Sequence, residues 1–302
     1  MAVKDPLADS GQSPAFTTTG PTRTVGRTIG SILVTAGRLT VPHVDEIRRL
    51  ASANKLRFGE AGLKLNLLTQ EDIEFALARQ YNYPILRRGD ALGGVSDELI
   101  AAYDPDSAAV EGLRGIRSRL LLQPQREPAH AALAIVSAER GEGRSVFAAN
   151  LAIVFAQTGA RTLLIDADMR NPRQHELFRL PNETGLSALL SARTGMDVIQ
   201  TIHPDLRLFV LTAGIKPPNP QELLSRSTFE ALLARCAEQF KIVIVDTPAT
   251  ADTADAQVIA ARAGAALIVA RRHRTHRSRL TTASQCLVQS GVKLVGSVIN
   301  DF

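Results

Sequence analysis

Apolar runs recur near 132–137, 161–166, 206–211, 241–246, 265–270 and 292–299, and stretches with helical spacing separate them. The runs are short, rich in Val, Ile and Leu, and continuous rather than alternating. That pattern predicts strands buried on both faces. Strands alternating with helices predict a mostly parallel, doubly wound α/β sheet.

The earlier part of the chain follows another pattern. Segment 29–40 aligns without gaps with segment 58–69, so that Gly30 pairs with Gly59, Leu39 with Leu68 and Thr40 with Thr69. Gly37 pairs with Asn66, both suited to a left-handed turn after a short helix. Thr40 and Thr69 are N-cap residues for the helices that follow, and Thr69-Gln-Glu-Asp72 reads as a capping box. Val44 with Ile47, and Ile73 with Leu77, supply apolar faces. The expectation is a small, mainly helical domain of two repeats at 25–86. Before it, 1–24 is rich in Ser, Thr, Pro and Gly and reads as a flexible tail. A linker is expected at 87–106 and the α/β domain at 107–302, with a loop at 124–130 before its first strand.

Chemistry enters at 137–145, Ser-Ala-Glu-Arg-Gly-Glu-Gly-Arg-Ser, between the first strand and a helical pattern. Gly141 and Gly143 allow a backbone nest whose N–H groups surround phosphate oxygens. The following helix start adds donors and a positive dipole end. Glu142 and Val146 belong to the same loop, and Ser145 offers a hydroxyl to magnesium. Arg144 stands where a phosphate-binding loop ordinarily has lysine. Its guanidinium is longer, planar and bidentate, so it binds phosphate with another geometry. Two later strands end in carboxylates, at Asp166-Ala-Asp168 and at Asp246. Carboxyl ends of parallel strands share one sheet edge, where ligands bind. Asp166, Asp168 and Asp246 should therefore converge on Gly143, with oxygen ligands suited to magnesium.

From about 107 to 302 the chain resembles the bacterial tyrosine kinases, a P-loop NTPase family that controls polysaccharide export. The loop resembles Walker A, 166–170 resembles Walker A′ and Asp246-Thr-Pro resembles Walker B. Segments 185–190 and 217–224, Asp255-Ala256 and Val298-Ile-Asn300-Asp301 also match, and an EpsG-type chain-length-determinant subgroup shares the Gly-Arg pair. The resemblance implies ATP and Mg2+ as cofactors, with Gly141, Glu142, Gly143, Arg144, Ser145, Val146 and Asn300 at the nucleotide. It implies metal at Ser145, Asp166 and Asp246, and catalysis by Asp166, Asp168 and Arg144, Asp166 being the favoured base. Glu111, Arg114 and Arg117 match an oligomerisation motif, which implies a homo-oligomer; their spacing also suits a solvated helix face. Asn300 is either near adenine or a strand cap. Relatives of the ParA and MinD type carry an early loop lysine, where this chain has Glu139.

The implied function is an ATP- and magnesium-binding kinase-like regulator of exopolysaccharide chain length, polymerisation or export. The alternative is a catalytically weak, nucleotide-gated scaffold. The implied partner of either is an inner-membrane polysaccharide chain-length or co-polymerase protein. Tyrosines occur only at Tyr81, Tyr83 and Tyr103. A C-terminal tyrosine cluster like the family's is therefore not expected; any of the three present is a candidate phosphorylation target, and the favoured reading of them is partly buried aromatics packed at an edge. The two-repeat segment resembles the N-terminal (MshEN) domain of type II secretion ATPases. That resemblance implies cyclic di-GMP held through Arg27, Gly30, Arg57 and Gly59; a protein-docking domain is the other reading.

Composition narrows the rest. The net charge is +5. The basic run 271–279 could be a solvated loop, a contact for nucleotide or an acidic partner, or a lipid contact. It has no interleaved aromatics and the chain has no Trp, so nucleic-acid binding is not expected. Cys236 and Cys286 suit reduced packing positions. With no run long enough to span a membrane and no signal peptide, a cytoplasmic protein is expected, peripheral at the inner membrane through its partner.

Overall fold

The computed structural model describes residues 28–81, 86, 94–122 and 132–301. They fall into two compact units, one within 9–85 and the other within 86–302. The expected tail 1–24, the loop 124–130, Arg27 and Tyr83 lie outside the described residues.

The first unit holds α1 (Ile29–Thr35), α2 (Val41–Asn54), α3 (Phe58–Lys64) and α4 (Gln70–Gln80). Thr40 Oγ1 accepts from His43 N and Thr69 Oγ1 from Asp72 N, so both capping threonines start helices as expected. Gly37 at φ +69° and Asn66 at φ +53° make equivalent left-handed turns. The repeats interlock, α1 packing on α4 and α2 on α3. Leu33, Leu39, Val44, Ile47, Ala61, Leu68 and Ala76 from both repeats form one apolar core. Leu77, expected on that face, is instead exposed, and Ala76 fills the inner position.

The second unit begins with α5 (Ile100–Tyr103) and α6 (Ala108–Leu122). Then follow β1 (Ala132–Ser137), α7 (Arg144–Ala156), β2 (Thr162–Asp166), α8 (Gln174–Leu177) and α9 (Leu186–Leu190). A 3-10 turn leads to β3 (Gln200–His203), β4 (Leu206–Leu211), α10 (Pro220–Ser225), α11 (Ser227–Gln239) and β5 (Ile242–Asp246). The unit closes with α12 (Asp255–Ala263), β6 (Gly264–Arg271), α13 (Arg277–Gln289) and β7 (Lys293–Asn300). The strands form a seven-stranded sheet in the order β3-β4-β2-β5-β1-β6-β7. β3 is antiparallel to β4; the other pairings are parallel.

Side chains of β1 alternate between two cores. Leu133 and Ile135 face the core shared with α7, and Ala132, Ala134 and Val136 face the core shared with α11 and α12. This is why the inner strands read as continuous apolar runs. Helix α7 is buried at every position from Phe147 to Ala156. It lies between the sheet and the α5–α6 layer.

The expected linker 87–106 is corrected over its described part, residues 94–106. Ala101 N donates to Asn150 Oδ1 at 2.9 Å, and Gln157 Nε2 donates to Ala101 O at 2.8 Å. Leu99 is fully buried. Asn150 of α7 and Gln157 just after it, polar side chains invisible to an apolar pattern, help bind this segment into the α/β unit.

Candidate active site

The phosphate loop leaves β1 at Ser137 and enters α7 at Arg144. Gly141 at φ +75° and Gly143 at φ +81° supply its two left-handed positions. Neighbouring elements grip its backbone. Arg271 Nη1 donates to Gly141 O at 3.2 Å, and Asn300 Nδ2 donates to Glu142 O at 2.9 Å. The buried Glu142 accepts from Glu139 N at 2.9 Å and is bonded to the Thr275 hydroxyl. A Cβ on Gly141 would sit 3.1 Å from the Arg274 guanidinium. The basic run after β6 therefore packs on the phosphate loop, with Arg279 also 3.6 Å from the Glu139 carboxylate.

Asp166 and Asp246 are register partners at the ends of adjacent strands. Asp166 is fully buried and accepts three backbone N–H bonds, from Asp168 at 3.2 Å, Arg173 at 3.0 Å and Gln174 at 2.9 Å. Burial first, and the Asp246 charge next, push its carboxyl well above the usual range. Asp168 accepts from the backbone of Asn171 at 2.9 Å and Arg170 at 3.2 Å. Burial raises its carboxyl too, opposed by the Asn171 bond and the Arg144 charge.

Arg144 connects these groups. Its Nε donates to Asp246 Oδ1 at 3.2 Å, Nη1 to Ser137 Oγ at 2.7 Å and Nη2 to Asp168 Oδ2 at 3.2 Å. It is 8% exposed. A planar fork can meet three acceptors at once, whereas a lysine ammonium is a single point. The expected carboxylate convergence thus holds, and a guanidinium lies at its centre. A cavity of about 240 Å³ opens beside it, lined by the loop, Ser145, Val146, Asp168, Asn171 and Arg173. Asp166 and Asp246 lie behind that lining.

The ATPase MipZ family model matches residues 132–270, the stretch from β1 to β6. The chain is 36% identical over 197 residues to the putative tyrosine-protein kinase CapB of Staphylococcus aureus, covering 65% of this chain and 86% of that protein. It is 36% identical over 202 residues to tyrosine-protein kinase YwqD of Bacillus subtilis, covering 67% and 85%. The chain belongs to the bacterial tyrosine kinase family. Solved structures agree with this. The kinase domain of the Escherichia coli tyrosine kinase ETK superposes with a TM-score of 0.64 at 34% identity, over 67% of this chain and 79% of that one. The chimerical protein CapA2B2 gives the same TM-score and identity over 75% and 98%. By descent the chain is a kinase-like, ATP-binding P-loop phosphotransferase.

The donor set suits the magnesium such kinases use. Ser145 and the carboxylates are hard oxygen donors. Among the described residues no three His, Cys, Asp or Glu side chains form a metal cage. Magnesium needs no such cage, because it keeps water and takes phosphate oxygens. Gln174 Oε1 is buried without a hydrogen-bond partner, whereas buried polar atoms ordinarily have one. Gln174 itself carries no motif signature; it lies in an Asn-Pro-Arg-Gln-His stretch that periodicity does not single out.

Other expected site residues lie elsewhere. Glu111 and Arg114 pair at 2.9 Å on α6. Arg117 turns inward and donates to Val154 O of α7 at 2.9 Å. Tyr103 is half-buried and donates to Val95 O at 2.6 Å. Tyr81, expected to pack at an edge, is 79% exposed. In the first unit, Gly30 and Gly59 serve helix packing. A Cβ on Gly30 would meet Val44 at 3.1 Å, and one on Gly59 would meet Ile73 at 3.0 Å. Arg57 is exposed at the N-cap of α3. Cys236 is buried, and burial pushes its thiol up to about 12; Cys286 is half-buried and also free. Among the described residues no helix is long and apolar enough to cross a membrane.

Proposed function

We propose that this family member is an ATP- and magnesium-dependent protein tyrosine kinase-like regulator of exopolysaccharide chain length, polymerisation or export. The observation that carries the reading is Asp168 on the cavity wall beside Ser145 and the phosphate loop. The loop N–H groups and the α7 dipole hold the phosphates. Ser145 and Asp246 hold magnesium, which supplies charge neutralisation on the phosphates when bound. Asp168 accepts the proton of a tyrosine hydroxyl as that oxygen bonds to the γ-phosphorus and ADP leaves. Its raised carboxyl suits a base, and its place on the cavity wall favours it over Asp166, which does not line the cavity.

Arg144 favours a second reading, a nucleotide-gated scaffold with slow transfer. Its fork is engaged with Asp168, Asp246 and Ser137, and transfer depends on positioning. Under both readings Glu111 and Arg114 contribute to a homo-oligomer, and an inner-membrane polysaccharide co-polymerase is the partner. The N-terminal unit is a docking module, since packing accounts for Gly30 and Gly59; titration with cyclic di-GMP is expected to give no binding.

Single-turnover ATP consumption, with and without magnesium, tests the reading. Magnesium-dependent turnover lost in Asp246→Ala and Asp168→Asn supports the kinase. Binding without turnover, restored by Arg144→Lys, supports the scaffold.

A further inference from the structure

Gln174, the first residue of α8, touches all three motifs of the site. Its backbone N–H donates to Asp166 Oδ2 at 2.9 Å. Its Nε2 donates to Asp246 Oδ2 at 2.7 Å and to Ser145 O at 3.1 Å. The residue is fully buried, and its Oε1 has no partner. A buried carbonyl left unpaired opposes folding, while an apolar side chain of similar shape would avoid that penalty. The amide therefore has work that packing does not explain.

The geometry points to Gln174 as a positioning residue for the divalent cation: Nε2 fixes the Asp246 carboxylate, and Oε1 accepts from a cation-bound water. Asp246 then has a donor on each oxygen, Gln174 on Oδ2 and Arg144 on Oδ1. Only the guanidinium carries a charge that a cation could replace. Gln174 holds Oδ2 of the carboxylate in place while Arg144 moves. Partners in this position orient ligating carboxylates and tune affinity for the metal. The inference rests on the magnesium site proposed above.

The test uses the full chain with Mn2+ as an EPR-visible probe in the presence of ADP. Gln174→Met keeps the shape and removes both amide groups. Mn2+ affinity is expected to fall about 10- to 100-fold, while ADP affinity in EDTA stays unchanged. A merely structural role would weaken both. Unchanged Mn2+ affinity in a folded Gln174→Met overturns the role of Gln174 alone. Failure of the wild type to bind Mn2+ with ADP overturns the cation site and the role together. Should Gln174→Met not fold, the side-chain amide resonance of Gln174 in the wild type decides. It is expected to shift when Mg2+ is added to the ADP complex, and a resonance that stays in place overturns the inference.

Discussion

Arg144 and Asp246 stand 102 positions apart, and the Nε of the first donates to Oδ1 of the second at 3.2 Å. The same guanidinium reaches Asp168 and Ser137. The charge next to the phosphate loop is thereby committed to the site's own carboxylates.

Arg144→Ala strands Asp168 and Asp246, both buried, beside an empty space. Breaking a buried pair from one side costs about 3–5 kcal/mol. Urea unfolding should show that loss, and Arg144→Lys should recover part of it. An unchanged midpoint in Arg144→Ala would sink the account of this cluster.

The pH dependence of stability has a definite sign. The Asp166 carboxyl is raised in the folded protein, chiefly by burial and then by Asp246. Its stabilising share is complete below the unfolded value of about 3.9 and is lost as pH rises through the folded value. Asp166→Asn cannot titrate. Thermal melts from about pH 4 to about pH 8 should show the variant gaining on the wild type as pH rises; parallel curves would refute this.

Gly185 is held by backbone, not by a yielding side chain. A Cβ there would clash with Thr212 O and lie 2.6 Å from Gly214 N. Gly185→Ala should destabilise by about 1–3 kcal/mol, as overpacking does. Calorimetry checks it, and a melting temperature equal to that of the wild type would contradict the packing.

The α6 residues should separate by role. Arg117→Ala removes a hydrogen bond from a charged donor to Val154 O and should lower stability by about 1–2 kcal/mol. Glu111 is an exposed partner of Arg114, so its contribution to the fold is small. Glu111→Ala should reduce oligomer mass in light scattering without moving the unfolding midpoint. A lower midpoint with unchanged mass would assign Glu111 to the fold instead.

Much of the α/β unit was legible before folding. The inner strands are buried on both faces, so their apolar runs name them, and β1 appears at 132–137 as expected. Strand β3 was not legible. It is a four-residue antiparallel edge with half-exposed side chains, and its Gln-Thr-Ile-His carries little pattern. The segment 94–106 likewise gave no signal, because it is short and irregular: Val95, Leu99, Ala101 and Ala102 enter the core without a sustained period, and Asn150 and Gln157 bind the Ala101 backbone.

Local chemistry belongs to the sequence. The capping threonines, the turns at Gly37 and Asn66, the glycines of the phosphate loop and the carboxylates ending β2 and β5 depend on neighbours within a few positions. Short-range backbone geometry therefore specifies them. Where Arg144 points, which carboxylate reaches the cavity, and what Gln174 binds depend on groups brought together across the sheet. Only the tertiary structure decided these, because a side chain's partners are set by packing in space and periodicity records no more than whether a position is buried.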